Sequence, residues 1–387
     1  MREIPRVILL VETSRAFGRE LLYGIARYSR SHGPWAFYKE TGGLERSISR
    51  LKNWGADGII MRNPKRSDEL IAMGLPTILV IHRREEPPGF PRIVTDGPGV
   101  ARMAADHLLD RGFRRFAFCG FDDMVWSQQR KRAFRERIAE AGFETLVYEQ
   151  PTSARNRTWE REQPLLAAWL AALPKPVGLF ACNDDRAQHV TEACKTAGVH
   201  VPEEVAIIGV DNDELVCDLA DPPISSVALD TEMAGYHAAE LLDRMMRGGD
   251  RTACDIMVHP THIVTRQSTD ILAIDDADVA GAIRFIRQNA RHAIRVGDVA
   301  EAAALSRRVL EKRFRSLLNR SVHEEIRRVR VDQIATMLVE TDLPIAEIAY
   351  RLGFPGVEHI ARYFRKERNI SPQDYRKTHG RRFTVHV

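Results

Sequence analysis

The last hundred or so residues contain two helix-turn-helix patterns about fifty residues apart, and this repeat constrains the fold more than any other feature. The first pattern runs from Asp298 to Phe314 and the second from Pro344 to Phe364. In each, a short helix carrying a small Ala precedes a turn and a second helix with apolar residues at helical spacing. One such pattern is more often a plain pair of packed helices. Two at this spacing predict an all-α domain built from two related units.

The second helix of each unit carries polar and basic side chains between its apolar positions. Such a face can hydrogen-bond base edges and phosphates in the major groove of DNA. The candidate DNA-binding residues are Ser306, Arg307, Arg308, Glu311, Lys312, Glu358, His359, Arg362 and Arg365.

A long amphipathic helix from Val322 to Glu340 joins the two units, and Ser371-Pro-Gln-Asp-Tyr-Arg closes the second one. With Ile-Ala-Glu-Ile-Ala at 345–349 and Gly353-Phe, these motifs resemble the DNA-binding domain of the AraC family. The resemblance implies that bases are read by Arg308, Glu311 and Lys312 in the first unit, and by Glu358, His359 and Arg362 in the second. The sequence departs from the family at Ala304, where Gly is usual. An Ala at positive φ would cost on the order of 1 kcal/mol there.

The distribution of charge agrees with a separate DNA-binding part. From Gly281 to the end, the chain has 22 Lys and Arg against 12 Asp and Glu. The preceding residues have 35 against 41, so a basic domain follows an acidic body. We expect only the basic part to touch DNA.

The remaining composition favours a cytoplasmic protein. The five Cys residues show no CxxC pair or regular spacing, which indicates neither a disulfide framework nor a zinc site. The N-terminus leads directly into a predicted strand without the features of a signal peptide. No apolar run approaches the roughly 20 residues needed to cross a bilayer, so we expect no membrane contact.

Between residue 6 and about residue 265, short apolar runs alternate with amphipathic helices, which predicts parallel sheets in an α/β architecture. The alternating units are too many for one compact sheet, so we expect two lobes. The predicted strands are Val7–Val11, Trp35–Tyr38, Gly58–Met61, Thr77–Ile81, Phe116–Cys119, Val177–Ala181 and Val205–Gly209. The predicted helices include Arg19–Arg30, Val100–Arg111, Gln128–Ala141 and Arg186–Ala197. The acidic, non-periodic segment 268–278 is the predicted linker.

Nothing in the α/β body matches a catalytic motif. The loop from Glu12 to Gly18 is neither a GxGxxG turn nor a P-loop, and no HExxH, GxSxG or Cys/His arrangement is present. We therefore expect no enzymatic activity and no cofactor.

Polar residues instead follow the predicted strands, at the rim where ligands bind in open parallel sheets. In order and spacing they resemble the LacI-type and periplasmic sugar-binding proteins. The resemblance implies a two-lobed, periplasmic-binding-protein-like sensor at 1–267 and a DNA-binding domain at 279–387. It also implies sugar contacts from Ser14, Arg15, Asp96, Arg130, Asn183, Asp184 and Asp211. Carboxylates, amides and an Arg suit sugar hydroxyls, and Trp126 or Phe17 offers an aromatic face.

Each of these residues also has a plainer explanation. Asp96 and Asp184 could cap helices, Arg130 could be a surface charge, and Asp211 could be a turn residue. Together, in the family's order, they favour a ligand cleft.

The combination of a LacI-type sensor without its own N-terminal DNA-binding head and an AraC-type domain resembles the bacterial xylose operon regulators. It implies a homodimeric transcription activator that binds operator DNA, takes D-xylose as effector and works with RNA polymerase. These residues alone do not separate xylose from another small sugar. Two other classes stay open: a sugar-converting enzyme with a DNA-binding appendage, and a constitutive DNA-binding protein whose body only dimerises.

Overall fold

The computed structural model describes residues 4–39, 51, 53–62, 68–81, 88–249, 252–273 and 276–379. Residues 274 and 275 of the predicted linker, and the last eight residues of the predicted DNA-binding domain, lie outside the described residues.

Two six-stranded sheets form the body of the protein. In chain order the strands are β1 (Arg6–Leu10), β2 (Ala36–Lys39), β3 (Gly58–Arg62), β4 (Thr77–Val80), β5 (Arg92–Thr95), β6 (Phe116–Cys119), β7 (Thr145–Tyr148), β8 (Val177–Ala181), β9 (Val205–Val210), β10 (Ser225–Leu229), β11 (Asp255–Val258) and β12 (Pro260–Val264). The first sheet has the order β11-β5-β4-β3-β1-β2, and the second has the order β12-β10-β9-β8-β6-β7. The pairings are parallel except for β10 with β12. The predicted two-lobed α/β architecture is therefore confirmed.

Helices cover both sheets. In chain order they are α1 (Ala16–His32), α2 (Asp68–Ile71), α3 (Gly97–Leu109), α4 (Val125–Glu140), α5 (Trp159–Ala172), α6 (Asp184–Ala197), α7 (Glu214–Leu219) and α8 (Thr231–Met246). Because both faces are covered, strands β8 and β9 are buried along their whole length. This burial explains why their sequences read as continuous apolar runs.

The chain crosses between the lobes three times. Strand β5 of the first sheet leads through Asp96 into α3 of the second lobe. Strand β10 of the second sheet returns through Asp230 into α8, which packs on α1 in the first lobe. Strand β11 then leads through His259 into β12 of the second sheet. These three residues form the hinge between the lobes.

Two glycines let α1 and α8 cross very closely in the first lobe. A Cβ atom on Gly24 would lie 1.9 Å from the carbonyl oxygen of Glu232, and one on Gly235 would lie 2.1 Å from that of Leu21. Backbone therefore meets backbone in this contact, and the two helices move as one body.

The described part of the C-terminal domain, residues 276–379, contains helices and no strand. Its helices are α9 (Ala277–Gln288), α10 (Val296–Ala302), α11 (Arg307–Leu318), α12 (Val322–Glu340), α13 (Ile345–Arg351), α14 (Val357–Arg368) and α15 (Pro372–His379). Helices α10 and α11 form the first helix-turn-helix unit, and α13 and α14 form the second. Each unit has its own apolar core, with Phe314 buried in one and Phe364 in the other. The prediction of two helix-turn-helix units is confirmed.

The turns of the two units have the same left-handed backbone. Ala304 has a φ of 51° and Gly353 has a φ of 68°. The first unit therefore holds an Ala in a conformation that favours Gly. Sequence comparison with the AraC pattern pointed to this position.

The segment predicted as the linker begins inside the sensor. Ser268 and Thr269 form a buried 3-10 turn, and the Ser268 hydroxyl donates to the carbonyl of Ile207 at 2.6 Å. At the other end, α9 already begins at Ala277. The described part of the predicted linker thus leaves only a short stretch outside regular structure.

Candidate functional site

The cleft between the lobes is spanned by side chains from the start of α1. Arg15 forms an ion pair with Asp185 on α6 of the second lobe. The backbone N–H of Ala16 donates to Asp213 at 2.7 Å, and Arg19 donates to the other oxygen of Asp213 at 2.8 Å. These contacts hold the two rims together over the cleft.

Below this rim, Arg130 lies beside Asp211, and both are predicted sugar contacts. Arg130 is 3% exposed, and its guanidinium donates to the carbonyl of Cys182 and lies 5.1 Å from the Trp126 ring. Its Nη2 lies 3.9 Å from Oδ1 of Asp211, which is too far for a direct hydrogen bond but suits a bridging hydroxyl. The Nε atom of Arg130 is buried and has no partner in the structure. A donor is therefore left over in this part of the cleft.

Asp211 is strained and poorly solvated. Its φ is 99°, in the region that non-glycine residues rarely adopt. Burial raises the pKa of its carboxyl to about 6, although the neighbouring Arg130 acts in the opposite direction. The carboxylate thus lacks hydrogen bonds that a ligand with hydroxyl groups would supply.

Asn183 and Asp184, at the start of α6, are both engaged within the protein. The Asn183 side chain caps α6 by accepting from the N–H of Arg186 at 3.0 Å, and it donates to Asp185 at 3.2 Å. The Asp184 carboxylate accepts from the Ser226 hydroxyl at 2.6 Å and from the N–H of Asp213 at 2.8 Å. Burial raises its pKa well above the usual range. Asp184 thus holds the backbone of Asp213 in place.

Ser14 and Asp96 both make local hydrogen bonds within the protein. Ser14 donates to Glu12 at 2.6 Å, and this hydrogen bond lowers the pKa of Glu12. Asp96 caps α3 by accepting from the N–H of Gly99 at 2.9 Å, and it belongs to the hinge. The helix-cap explanation of Asp96 is therefore confirmed, and its contact with a sugar stays a prediction.

Sequence reasoning missed three residues of the rim: Arg19, Asp185 and Asp213. Asp213 could have been noticed, because it follows Asp211 in the same turn after β9. Asp185 could have been noticed in the same way, because it directly follows Asn183 and Asp184. Arg19 carries no comparable signal, since its role depends on the approach of the two lobes.

Another concave surface lies outside the cleft. It is an open groove of about 1160 Å³ along α4, lined by Lys131, Arg132, Arg135 and Phe143 among others. Its charged side chains point along a surface and do not converge, whereas the groups around Arg130 and Asp211 converge on a buried position. We take the cleft, and not this groove, as the ligand site.

The second helix of each helix-turn-helix unit presents a basic, exposed surface. In α11, Arg308 and Lys312 are exposed, and Ser306 caps the helix by accepting from the N–H of Val309. In α14, the exposed predicted residues are Glu358, His359, Arg362 and Arg365. Arg307 is also exposed.

Glu311 differs from its neighbours. It is half-buried, and its carboxylate accepts from the N–H of Val322 at the start of α12, at 3.4 Å. The contact turns Glu311 toward the domain's own backbone.

A buried Arg joins the two units. Arg330 of α12 donates to the carbonyl of His292, just before the first unit, at 2.8 Å. It also donates to the carbonyl of Leu352, in the turn of the second unit, at 2.6 Å. Its guanidinium lies 4.6 Å from the Phe354 ring. Arg330 thereby fixes the position of one unit relative to the other.

Comparison with known proteins matches both halves of this architecture. A model of the periplasmic binding protein-like domain matches residues 105–269, and a model of the helix-turn-helix domain matches residues 299–378. The chain is 32% identical over 380 residues to the xylose operon regulatory protein of Escherichia coli strain K12, with 96% of each chain covered. It is 31% identical to the protein of the same name from Haemophilus influenzae, over 96% of this chain and 98% of that one.

A solved structure matches the chain over both of its halves. The structure of the xylose-binding transcription activator xylR covers 98% of this chain and all of that chain, with a TM-score of 0.61 and 30% identity. The chain belongs to the family of xylose operon regulatory proteins. It is therefore a sugar-responsive, DNA-binding transcription regulator and not an enzyme.

Among the described residues, no helix is both long and apolar enough to cross a membrane. Within the same residues, no group of His, Cys, Asp and Glu side chains is arranged to hold a metal ion. Four of the Cys residues are buried and Cys254 is exposed.

Proposed function

We propose that this regulator takes D-xylose as its effector and activates genes for xylose catabolism. The relatives that match it over almost their whole length are named for the xylose operon, and the solved neighbour is described as xylose-binding. The observation that carries the proposal is the pairing of Arg130 with Asp211 across 3.9 Å, beside the unpartnered Nε of Arg130.

The chemistry around this pair suits a small neutral polyol. Asp211 accepts from hydroxyl groups, Arg130 donates to them, and the Trp126 ring packs against the apolar face of a sugar ring. A hydroxyl pair placed between Arg130 and Asp211 satisfies both without adding charge to the buried site. Ser14, Arg15, Asp96, Asn183 and Asp184 complete the proposed sugar site, the last of these by supporting Asp213.

A panel of sugars tests the effector. Isothermal titration of the full chain with D-xylose, L-arabinose, D-ribose and D-glucose is expected to show the tightest binding for D-xylose. Tighter binding of another sugar would reassign the effector and leave the cleft in place. Absence of binding by every sugar would remove the cleft from the proposal.

DNA is read, in this proposal, by the exposed faces of α11 and α14. Both helices enter successive major grooves on one side of the duplex, roughly 34 Å apart, as the DNA repeat requires. Arg308, Lys312, Glu358, His359 and Arg362 contact bases. Ser306, Arg307 and Arg365 contact the backbone. Glu311 is also a predicted base contact, and in the structure its carboxylate accepts from the N–H of Val322.

The active form is a homodimer that also contacts RNA polymerase. An apolar surface supports the dimer: on α7, Leu215 is 63% exposed and Leu219 is 70% exposed, one turn apart on the same face. A second copy of the chain covers this pair.

A further inference from the structure

The three hinge residues are joined in one hydrogen-bonded cluster. The N–H of His259 donates to Oδ1 of Asp230 at 2.6 Å, and the N–H of Asp230 donates to the carbonyl of His259 at 3.0 Å. The N–H of Asp96 donates to the carbonyl of Val258 at 2.8 Å, and the His259 ring lies 3.5 Å from the Asp96 carboxylate. Any rotation of one lobe against the other therefore acts on this cluster.

The last helix of the DNA-binding domain docks on this cluster. His379 of α15 lies 2.9 Å from Oδ2 of Asp230, and the Asp230 side chain is only 5% exposed. An ionised carboxylate only accepts, so Nδ1 of His379 donates. Tyr375, one turn earlier, donates from its hydroxyl to the carbonyl of Thr261 in β12 at 2.7 Å. Asp230 thus uses one oxygen inside the hinge and the other on the DNA-binding domain.

On its other side, α15 is packed into the second helix-turn-helix unit. The Tyr375 ring lies 5.1 Å from the ring of Phe364, the core residue of α14. Arg376 donates to the carbonyls of Leu338 and Leu343, which lie at the end of α12 and before α13. Movement of α15 therefore moves the helix that reads DNA.

A continuous chain of contacts leads from the sugar cleft to the same cluster. Asp213 of the second lobe holds the start of α1 through the N–H of Ala16. Helix α1 is locked to α8 where Gly24 and Gly235 meet backbone. Helix α8 begins directly after Asp230. A change at the cleft rim therefore reaches Asp230 through one rigid pair of helices.

We propose that α15 is a latch that couples the sensor's hinge to the second helix-turn-helix unit through His379–Asp230 and Tyr375–Thr261. Closure of the lobes on a sugar rotates Asp230 and His259, and the latch carries this change to α14. The inference rests on the proposed function, since it names how the sugar acts on DNA reading.

The coupling factor tests the latch. It is the ratio of operator affinities with and without saturating D-xylose, or whichever sugar of the panel binds. Typical coupling is about 5–150-fold. In His379→Ala and in Tyr375→Phe, we expect the factor to fall to within about twofold of unity, while both variants still bind sugar and operator. Tyr375→Phe keeps the ring against Phe364, so a loss there reports the hydroxyl contact.

Two further variants separate coupling from general damage. His379→Asn keeps an N–H donor near the position of Nδ1 and is expected to retain most of the coupling. Thr378→Ala changes an exposed neighbour on the same helix and is expected to leave the factor unchanged.

The outcomes distinguish the latch from the function on which it rests. If both His379→Ala and Tyr375→Phe keep the coupling factor of the wild-type protein, the latch alone is overturned. If operator affinity of the wild-type protein ignores every sugar that binds, sugar regulation and the latch fall together.

Discussion

Arg330 of α12 donates to the carbonyl of Leu352, 2.6 Å away in the turn of the second helix-turn-helix unit. The same guanidinium reaches His292 on the side of the first unit. One buried cation thus sets the distance between two DNA-reading helices that have separate apolar cores.

Arg330→Met should therefore loosen the spacing of the two units. The change removes hydrogen bonds from a charged donor, worth about 1.5–3 kcal/mol each, and leaves a buried carbonyl without a partner. We expect a lower melting temperature and weaker operator binding. We also expect a smaller loss of operator affinity when one or two base pairs are inserted between the DNA sites of the two units. Fluorescence anisotropy measures this affinity. Arg351→Met, at an exposed Arg paired with Glu347 of its own helix, is the control. Equal spacing preferences in Arg330→Met and wild type would contradict the assignment.

Sugar affinity should depend on pH through Asp211. Burial raises the pKa of this carboxyl to about 6 in the sugar-free protein, and sugar hydroxyls donate best to its ionised form. Binding then favours the ionised form, so affinity is full above pH 6 and falls as the pH drops through 6, by at most about tenfold per pH unit. Calorimetry between pH 5 and 8 measures this. Asp211→Asn should bind sugar more weakly and lose the pH dependence. A variant that keeps the wild-type pH profile would assign the titration to another group.

The left-handed turns offer a matched pair of stability changes. Ala304→Gly should stabilise the first unit by about 1 kcal/mol, because the φ of 51° suits Gly. Gly353→Ala should destabilise the second unit by a similar amount. A Cβ at Gly353 would meet nothing closer than 3.8 Å, so only its φ of 68° opposes Ala. Denaturant unfolding of the full chain measures both. If both variants change the free energy of unfolding in the same direction, packing and not φ governs the stability of these turns.

Arg362 should read a base. Arg362→Ala is expected to weaken specific binding by roughly 1–3 kcal/mol and to relax the sequence preference at one operator position. Binding to a library of single-base operator variants measures the preference. Arg365→Ala removes a proposed contact to the DNA backbone. It should weaken binding to all sequences alike and reduce the salt dependence of the binding affinity. A uniform loss in Arg362→Ala would move Arg362 to the phosphates.

The homodimer should depend on α7. Leu215→Asp places a charge in the proposed contact and is expected to shift the protein toward monomer in sedimentation velocity. Leu165→Asp changes another exposed Leu, on α5, and should leave the association unchanged. Dimerisation that persists in Leu215→Asp would place the interface on another surface.

The sequence predicts the elements with strong local signals and misses those that depend on distant partners. Apolar runs such as 177–181 identify buried parallel strands, and the observed β8 has those bounds. Five strands of the described chain were not predicted: β5, β7, β10, β11 and β12. All of them except β10 are only partly buried, so their sequences lack a continuous apolar run. Ser268 looks like a linker residue, yet its hydroxyl is fixed by Ile207, sixty-one positions earlier.

The same division holds for the candidate site. Arg130 and Asp211 follow strands whose ends the pattern locates, so sequence order brings them to one rim. Arg15 is predicted to contact the sugar, and in the structure it also pairs with Asp185 across the cleft. That contact depends on how far the lobes are closed, which local sequence does not encode.

The three lobe crossings also determine when the sensor can finish folding during synthesis. The first sheet receives its outer strand β11 only at residues Asp255–Val258, and the second receives β12 at Pro260–Val264. Until then, β5 and β10 are open edges that can pair with other chains. The first lobe therefore receives its last strand only a few residues before the second lobe does, although nascent domains usually fold in order from the N-terminus. A fragment that stops before Val264 leaves an open edge, so any expression boundary for the sensor belongs after the buried turn at Ser268 and Thr269.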